Sequence, residues 1–477
     1  MVPDKVLLRS ATAVLALVLN VSAQEIQWVS STDEQRWESC SKLAVSPMTL
    51  GSKADIEIFP DKILQRIDGF GGCFNELGWE ALLSLPADER KKVLEQLFSP
   101  EGANFTICRV PIGASDYALS YYSYDDVPDD FAMENFSIAR DRYILIPYIK
   151  AAKEIRPDLK LWGSPWSPPA WMKVNNHYAL STGPTNSPSS NLPPEKNIRN
   201  NATAFKMEND CLAAYALYLS KYVQAYHREG VDISEVHVQN EITYTPYWPS
   251  CTWRPEDLAW FIGNSLGPRF KQDSLNTEIW LGTINSPDPN YVRTVLSNKD
   301  ATNFIKGVGF QWAGKKSIEA IHKEFPNLPL MQTESECGKG EKNWKSAEYT
   351  WSLIHLYLSN GANAYEYWNM VLDNTGKSSW GWAQNMLISV NKDTKEIIYN
   401  PEFYLMKHLS HFVMPGAHRI QTSGGEDSLA FVNPDGTMVL IVVNPENSPK
   451  TATVEVGDSK FEVAIKAKSF NTLTWKP

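Results

Sequence analysis

Glu241 closes a short β-branched run, Val236 to Glu241 (VHVQNE), at a point where an extended segment would meet a loop. A carboxyl at such an edge is a candidate proton donor. Glu334 closes a second run, Leu330 to Glu334 (LMQTE), 93 residues later (334 minus 241). Two carboxyls on two strand ends suggest glycoside hydrolysis, in which one acid protonates the departing oxygen while the other carboxylate attacks the sugar or activates water. The competing reading of a lone strand-end Glu is a surface salt bridge. Glu336 rivals Glu334, because strand alternation would give both the same face.

Such groups need a frame that brings distant strand ends together. From about residue 67 the chain alternates apolar runs with longer amphipathic stretches, the pattern of repeated βα units. The runs are 67–72, 105–110, 159–164, 236–240, 278–282, 305–310, 330–333 and 364–368, and helix candidates between them include 87–97, 140–154, 212–228, 255–266 and 347–358. Eight such units predict a (β/α)8 TIM barrel, whose chemistry sits at the C-terminal strand ends. Those ends carry Arg109 to Asp116, Ser164 to Trp171, Asn240-Glu241, Gln311-Trp312, Glu334 and Trp368-Asn369. The Pro-, Ser- and Asn-rich stretch from Lys173 to about Asn200 reads as a wall of the cleft. Beyond residue 415 the texture becomes alternating, with a hairpin turn signal at Asn433 to Gly436 (NPDG). Together with the alternating Asp55 to Phe59, these strands predict a β-sandwich side domain. The expected division is a signal peptide at 1–23, an N-terminal sandwich segment at 24–64, the barrel at 65–414 and the C-terminal sandwich at 415–477.

The 477 residues carry a net charge of −10 and no basic block, which argues against a nucleic-acid partner. Seventeen Trp, 20 Tyr and 18 Phe are more telling, since flat aromatic faces complement sugar rings, although core packing explains most of them. Lys5 and Arg9 ahead of the apolar run Ala11 to Val21, with the small-residue site Val21-Ser22-Ala23, predict an export signal cleaved after Ala23. That run is too short to span a membrane, so an exported protein (extracellular, periplasmic or lysosomal) without stable membrane insertion is expected. Six Cys permit disulfides and leave fifteen possible connectivities. His408-x-x-His411 fits a helix surface better than a metal site, so no metal and no cofactor are expected. Asn104, Asn135 and Asn201 head glycosylation sequons.

The chain resembles glycoside hydrolase family 30, the group of glucosylceramidases, β-1,6-glucanases and related β-glycosidases. The resemblance spans nearly all of the expected mature chain and rests on ordered motifs: Gln65 to Gly72 (QRIDGFGG), Arg109 to Gly113 (RVPIG) through Asp116 to Pro128-Asp-Asp-Phe131, Trp166 to Lys173 (WSPPAWMK), Gln239-Asn-Glu241, Thr333-Glu334 and Tyr367-Trp-Asn369. It implies a retaining double displacement with Glu241 as acid and base and Glu334 as nucleophile. Arg109 would hold Glu334 ionised. Asn240 would contact the sugar 2-hydroxyl, Asp116 and Trp171 the outer hydroxyls, and Trp368 would floor the subsite. A turn or loop-capping role competes for Asn240 and Asp116, and core packing for Trp368. Trp312 and Trp382 are candidate cleft walls that ordinary packing explains equally well. Family relatives often carry His and Tyr where this chain has Gln311 and Ala313, which leaves one support of the nucleophile unassigned, and Ile242 replaces a common Pro. The expected substrate is a β-glucoside, glucosylceramide-like or β-1,6-glucan. The alternatives are a β-glucuronidase, β-xylosidase or xylanase of the same family, or an inactive carbohydrate-binding protein.

Overall fold

The computed structural model describes residues 25–47, 54–184 and 190–476; the expected export signal lies outside the described residues. Eight parallel strands close into a barrel: β1 (Gly69–Cys73), β2 (Ile107–Ile112), β3 (Lys160–Pro165), β4 (Glu235–His237), β5 (Glu278–Ile284), β6 (Ile305–Gln311), β7 (Leu330–Glu334) and β8 (Ala362–Asn369). Their residues are almost all buried, as expected of parallel strands covered on both faces. Gly71 shows how tightly the circle closes, because a Cβ there would meet the Ile107 carbonyl oxygen at 1.7 Å.

Seven of the eight predicted runs differ from the observed strands only by small shifts at their ends. The fourth is shorter than expected: β4 stops at His237 rather than Asn240. Beyond it the ladder is irregular: the Val238 and Gln239 N–H groups both donate to β5, to Trp280 O and Gly282 O, before the Asn240 N–H donates to Pro165 O on β3. Glu241 then turns with φ of 48°. A non-glycine residue held in that region costs energy that the surrounding contacts must offset.

The helix Asn209–Arg228 explains how the outer layer holds the active-face loops. Tyr215, Tyr218, Tyr222 and Tyr226 recur at helical spacing and are fully buried. The Tyr226, Tyr122 and Tyr124 hydroxyls all donate to the carboxylate of Asp141, at 2.6, 2.7 and 2.6 Å. Burial nevertheless pushes Asp141 up to about 6. Glu76 ties down the same region, accepting the Leu119 N–H and an Arg140 pair. The loop carrying Asp116 is therefore anchored from both sides. Lys173 does the same for the next loops, donating to Tyr178 O at 2.7 Å and Ser250 O at 2.6 Å.

Of the remaining strands, eleven form one sheet that includes Glu25–Ser31 and Ile56–Arg66 from the N-terminal side, and Val371–Asp373, Ile388–Val390 and Ile397–Tyr399 form a small separate sheet. Strand Met438–Asn444 is buried on both faces: Met438, Leu440 and Val442 join the sandwich core, and Val439, Ile441 and Val443 join the barrel core. The pair His408/His411 sits at this seam and not on an open helix surface. His408 is fully buried between Thr472 Oγ1 and Ser31 Oγ, each at 2.9 Å, because its helix packs under the sandwich. All six cysteines are free thiols, five of them buried. Asn104 is buried with its side chain engaged by Ser410 and Arg156, whereas Asn135 and Asn201 are exposed. No helix among the described residues is long and apolar enough to cross a membrane.

Candidate active site

β2, the segment just beyond β4, and the ends of β6 and β7 bring Arg109, Asn240, Glu241, Gln311, Trp312 and Glu334 into one hydrogen-bonded cluster. Arg109 is completely buried. Its Nη1 donates to Glu334 Oε2 at 2.7 Å, Nη2 to Asn240 Oδ1 at 2.6 Å and Nε to Ser164 Oγ at 3.0 Å. Its charge is thus committed to the nucleophile candidate and the neighbouring Asn. Asn240 Oδ1 also accepts from Thr283 and Gln311, so its acceptor is saturated by protein and its amide nitrogen is the group left for a ligand.

Gln311 bridges the two carboxyls. Its Nε2 lies 3.1 Å from Glu334 Oε2 and 3.3 Å from Glu241 Oε1, while its Oε1 accepts the Thr333 hydroxyl at 2.9 Å, which fixes the amide orientation. The two carboxyl oxygens therefore lie no more than 6.4 Å apart (3.1 plus 3.3). Trp312 supplies the remaining contact, its indole N–H donating to Glu334 Oε1 at 2.9 Å. The support left open by Ala313 is filled by this indole, turned inward by a φ of 48° at Trp312. Its role is a hydrogen bond to the carboxylate as well as a wall. Trp312→Phe keeps the ring but removes one hydrogen bond to a charged group, a loss of roughly 1.5–3 kcal/mol. The expected result is a 10- to 100-fold lower kcat/KM with the thermal midpoint little changed, measured by steady-state kinetics alongside a melting curve.

The two carboxyls differ in environment. Burial, and then the nearby charge of Glu334, push Glu241 up to about 8, so it keeps a proton through neutrality. Glu334 instead accepts three donors, from Arg109, Gln311 and Trp312. One acid holding a proton beside one carboxyl that accepts three hydrogen bonds is the arrangement acid-assisted displacement needs.

Around this pair stand groups with unused hydrogen-bonding capacity. Asp116 is buried, its Oδ1 has no partner, and burial reinforced by the charges of Glu334 and Glu241 pushes its pKa well up. The Trp368 indole N–H likewise has no partner. Its ring stacks on Trp166 with centroids 5.2 Å apart, and the Arg109 guanidinium lies 4.3 Å from the centre of Trp166 and 5.3 Å from that of Trp368. Trp171 is held elsewhere: its indole N–H donates to Asp125 O at 3.0 Å and its ring meets Phe131 edge-on. Trp166, in the same motif, stands against the cluster instead, because it directly follows the end of β3 whereas Trp171 lies in the next turn. The sequence reading passed over Trp166, although its position one residue past the strand was the signal. Ser164 lies within a strand end singled out by the sequence, whereas nothing in the sequence marks Thr283. Glu336 is also drawn off: β7 ends at Glu334, so alternation no longer applies, and Glu336 pairs with Lys315 and accepts the Tyr349 hydroxyl at 2.6 Å. Trp382 packs on Trp248 with centroids 4.2 Å apart, and Tyr244, close enough to feel the Glu241 charge, meets Trp248. These rings form one aromatic cluster that reaches Glu241 through Tyr244.

Comparisons with known proteins give the family. Residues 67–413 match the glycosyl hydrolase family 30 TIM-barrel domain, and residues 416–473 match the glycosyl hydrolase family 30 beta sandwich domain. Lysosomal acid glucosylceramidase of Mus musculus is 27% identical over 94% of this chain and 88% of its own length. Endo-1,6-beta-D-glucanase neg1 of Aspergillus fumigatus is 28% identical over 86% of this chain and 85% of its own. The solved structure of the endo-beta1,6-glucanase BT3312 superposes with a TM-score of 0.79 at 26% identity, covering 95% of this chain and 99% of that one. On its barrel, its sandwich and its ordered strand-end residues, this chain is a glycosidase and belongs to glycosyl hydrolase family 30.

Proposed function

We propose that the protein is an exported, retaining hydrolase of β-D-glucosides, acting on a glucosylceramide-like lipid or a β-1,6-glucan. Glu334 attacks the anomeric carbon while Glu241 protonates the departing oxygen, and water activated by Glu241 then releases the sugar. The observation that carries retention is the Gln311 bridge. The bridged oxygens lie within 6.4 Å of each other, a closeness that accommodates the roughly 5–5.5 Å carboxyl separation of retaining enzymes. Glu334 Oε2 accepts two bonds and Oε1 one, so Oε1 keeps the freer lone pair and is the attacking atom.

The glycone follows from what faces it. The unpartnered Asp116 Oδ1 and Trp368 Nε1 suit an acceptor and a donor for the outer hydroxyls of a neutral hexose. The cation that Asp116 feels, Arg109, is already committed to Glu334 and Asn240, so it is not free to pair with a uronate. The β-1,6-glucanase and glucosylceramidase names of the relatives support glucose. The test is proton NMR of hydrolysis across aryl β-D-glucoside, β-D-xyloside and β-D-glucuronide, followed by glucosylceramide and a β-1,6-glucan. The β-glucoside should be cleaved fastest, with β-glucose appearing before mutarotation. First-formed α-glucose would overturn retention, and a faster glucuronide would overturn the glycone.

A further inference from the structure

Glu366 lies inside the barrel on β8, two residues before Trp368, with no exposed surface. Its Oε1 accepts the Trp162 indole N–H at 2.6 Å, and the backbone N–H of Arg109 faces the same carboxyl. Its Oε2 has no partner. Trp162 is the cross-strand neighbour of Arg109 between β2 and β3, and the guanidinium lies 5.0 Å from the centre of its ring. One carboxyl thus touches both the main chain that carries Arg109 and the ring beneath its charge. Trp162 also meets the His237 ring, with centroids 4.1 Å apart, and sits in an apolar cluster with Ile107, Trp280, Met331 and Ala364. Against these non-directional contacts, the hydrogen bond that its indole donates to Glu366 is the directional one that fixes it.

We propose that Glu366, acting through Trp162, is a positioning residue that sets the Arg109 guanidinium against Glu334 and Asn240. The inference rests on Glu334 being the nucleophile. Glu366 makes no contact with the reacting atoms. Burial favours its neutral form, and the charged or titratable groups that face it are Arg109, Glu235, Cys73 and Cys108. As a neutral acid it leaves the Arg109 charge undivided for Glu334, and what it supplies is an acceptor at a fixed point. Glutamine supplies the same acceptor with nearly the same shape; leucine does not. Misplacing Arg109 and Asn240 loosens contacts that tighten in the transition state, so the loss should fall on kcat rather than KM. A displacement of about 1 Å is enough for roughly 100-fold.

Steady-state kinetics on an aryl β-glucoside with the full chain test this, with folding of each variant verified by its melting curve. Glu366→Leu and Trp162→Phe should each lower kcat by about 10- to 100-fold with KM within about threefold. Glu366→Gln should stay within about threefold of the parent, and the double variant Trp162→Phe with Glu366→Leu should be no slower than the slower single one. If Glu366→Leu does not fold, Trp162→Phe against Glu366→Gln carries the comparison. A Gln variant as slow as the Leu variant, multiplicative losses in the double variant, or a loss confined to KM would each overturn the proposal. Labelling the parent with a 2-deoxy-2-fluoroglucoside separates the two ideas: no label on Glu334 removes the underlying reading, whereas a labelled Glu334 with unaffected Trp162 and Glu366 variants removes only this one.

Discussion

Glu334→Gln should lower kcat/KM on an aryl β-glucoside by on the order of 10^5-fold, as removal of a catalytic nucleophile typically does. The variant cannot form a glycosyl-enzyme bond, and the donors that serve the carboxylate, Arg109, Gln311 and Trp312, have no anion to receive. The same change should cost stability. Arg109 is fully buried, and removing its charge partner leaves a positive group in the interior with only neutral acceptors at Asn240, Ser164 and Thr333. Breaking a buried pair in this way costs roughly 3–5 kcal/mol. Chemical denaturation measures that loss independently of activity. Glu336→Gln is the control: its partners, Lys315 and Tyr349, belong to a different cluster, so activity should fall by less than about tenfold. The reverse ranking of the two variants would move the nucleophile to Glu336.

Glu241→Ala should show a loss that depends on the leaving group. With a poor leaving group, kcat/KM should fall by roughly 10^2- to 10^4-fold, the range of general acid–base catalysis. With a dinitrophenyl glucoside, whose oxygen departs without a proton, formation of the intermediate should be nearly unaffected. Azide should restore turnover and give the β-glucosyl azide, whereas an α product would exclude retention. The pH dependence carries the sign. The acid works only when protonated, and its pKa lies above the ordinary carboxylate value, at about 8, chiefly through burial. In the parent enzyme kcat/KM should hold through neutrality and fall as pH rises through about 8; in Glu241→Ala that alkaline limb should vanish. The second cause of the shift, the Glu334 charge, disappears once Glu334 is esterified. Glu241 should then release its proton more readily, which fits it to act as base in the second half-reaction.

The barrel was legible because parallel strands buried on both faces are written as apolar runs, and those runs located all eight strands. What could not be read was where a strand stops. β4 ends at His237 because the consecutive N–H groups of Val238 and Gln239 both turn to β5, a tertiary irregularity with no local mark. The same limit hides how Trp166 and Trp171 differ. Trp166 and Trp171 occupy one motif, and only the turn Ala170–Met172 decides which indole stands against Arg109. The carboxyls themselves were legible because strand-end Glu residues had matching motifs, but their supports were not. Gln311 and Trp312 act through a two-sided amide and a positive φ, and both devices depend on where β6 meets β7. His408 looked like a surface residue because helical spacing cannot announce that a second domain will cover that face.

The most direct test of the account is the identity of the residue that becomes covalently bound to sugar. Incubating the protein with 2,4-dinitrophenyl 2-deoxy-2-fluoro-β-D-glucoside, digesting it at low pH and sequencing the labelled peptide by mass spectrometry should place one fluoroglucosyl group on Glu334. A label on Glu336, or full turnover with no covalent adduct, would contradict the assignment of Glu334 as the nucleophile of a double displacement.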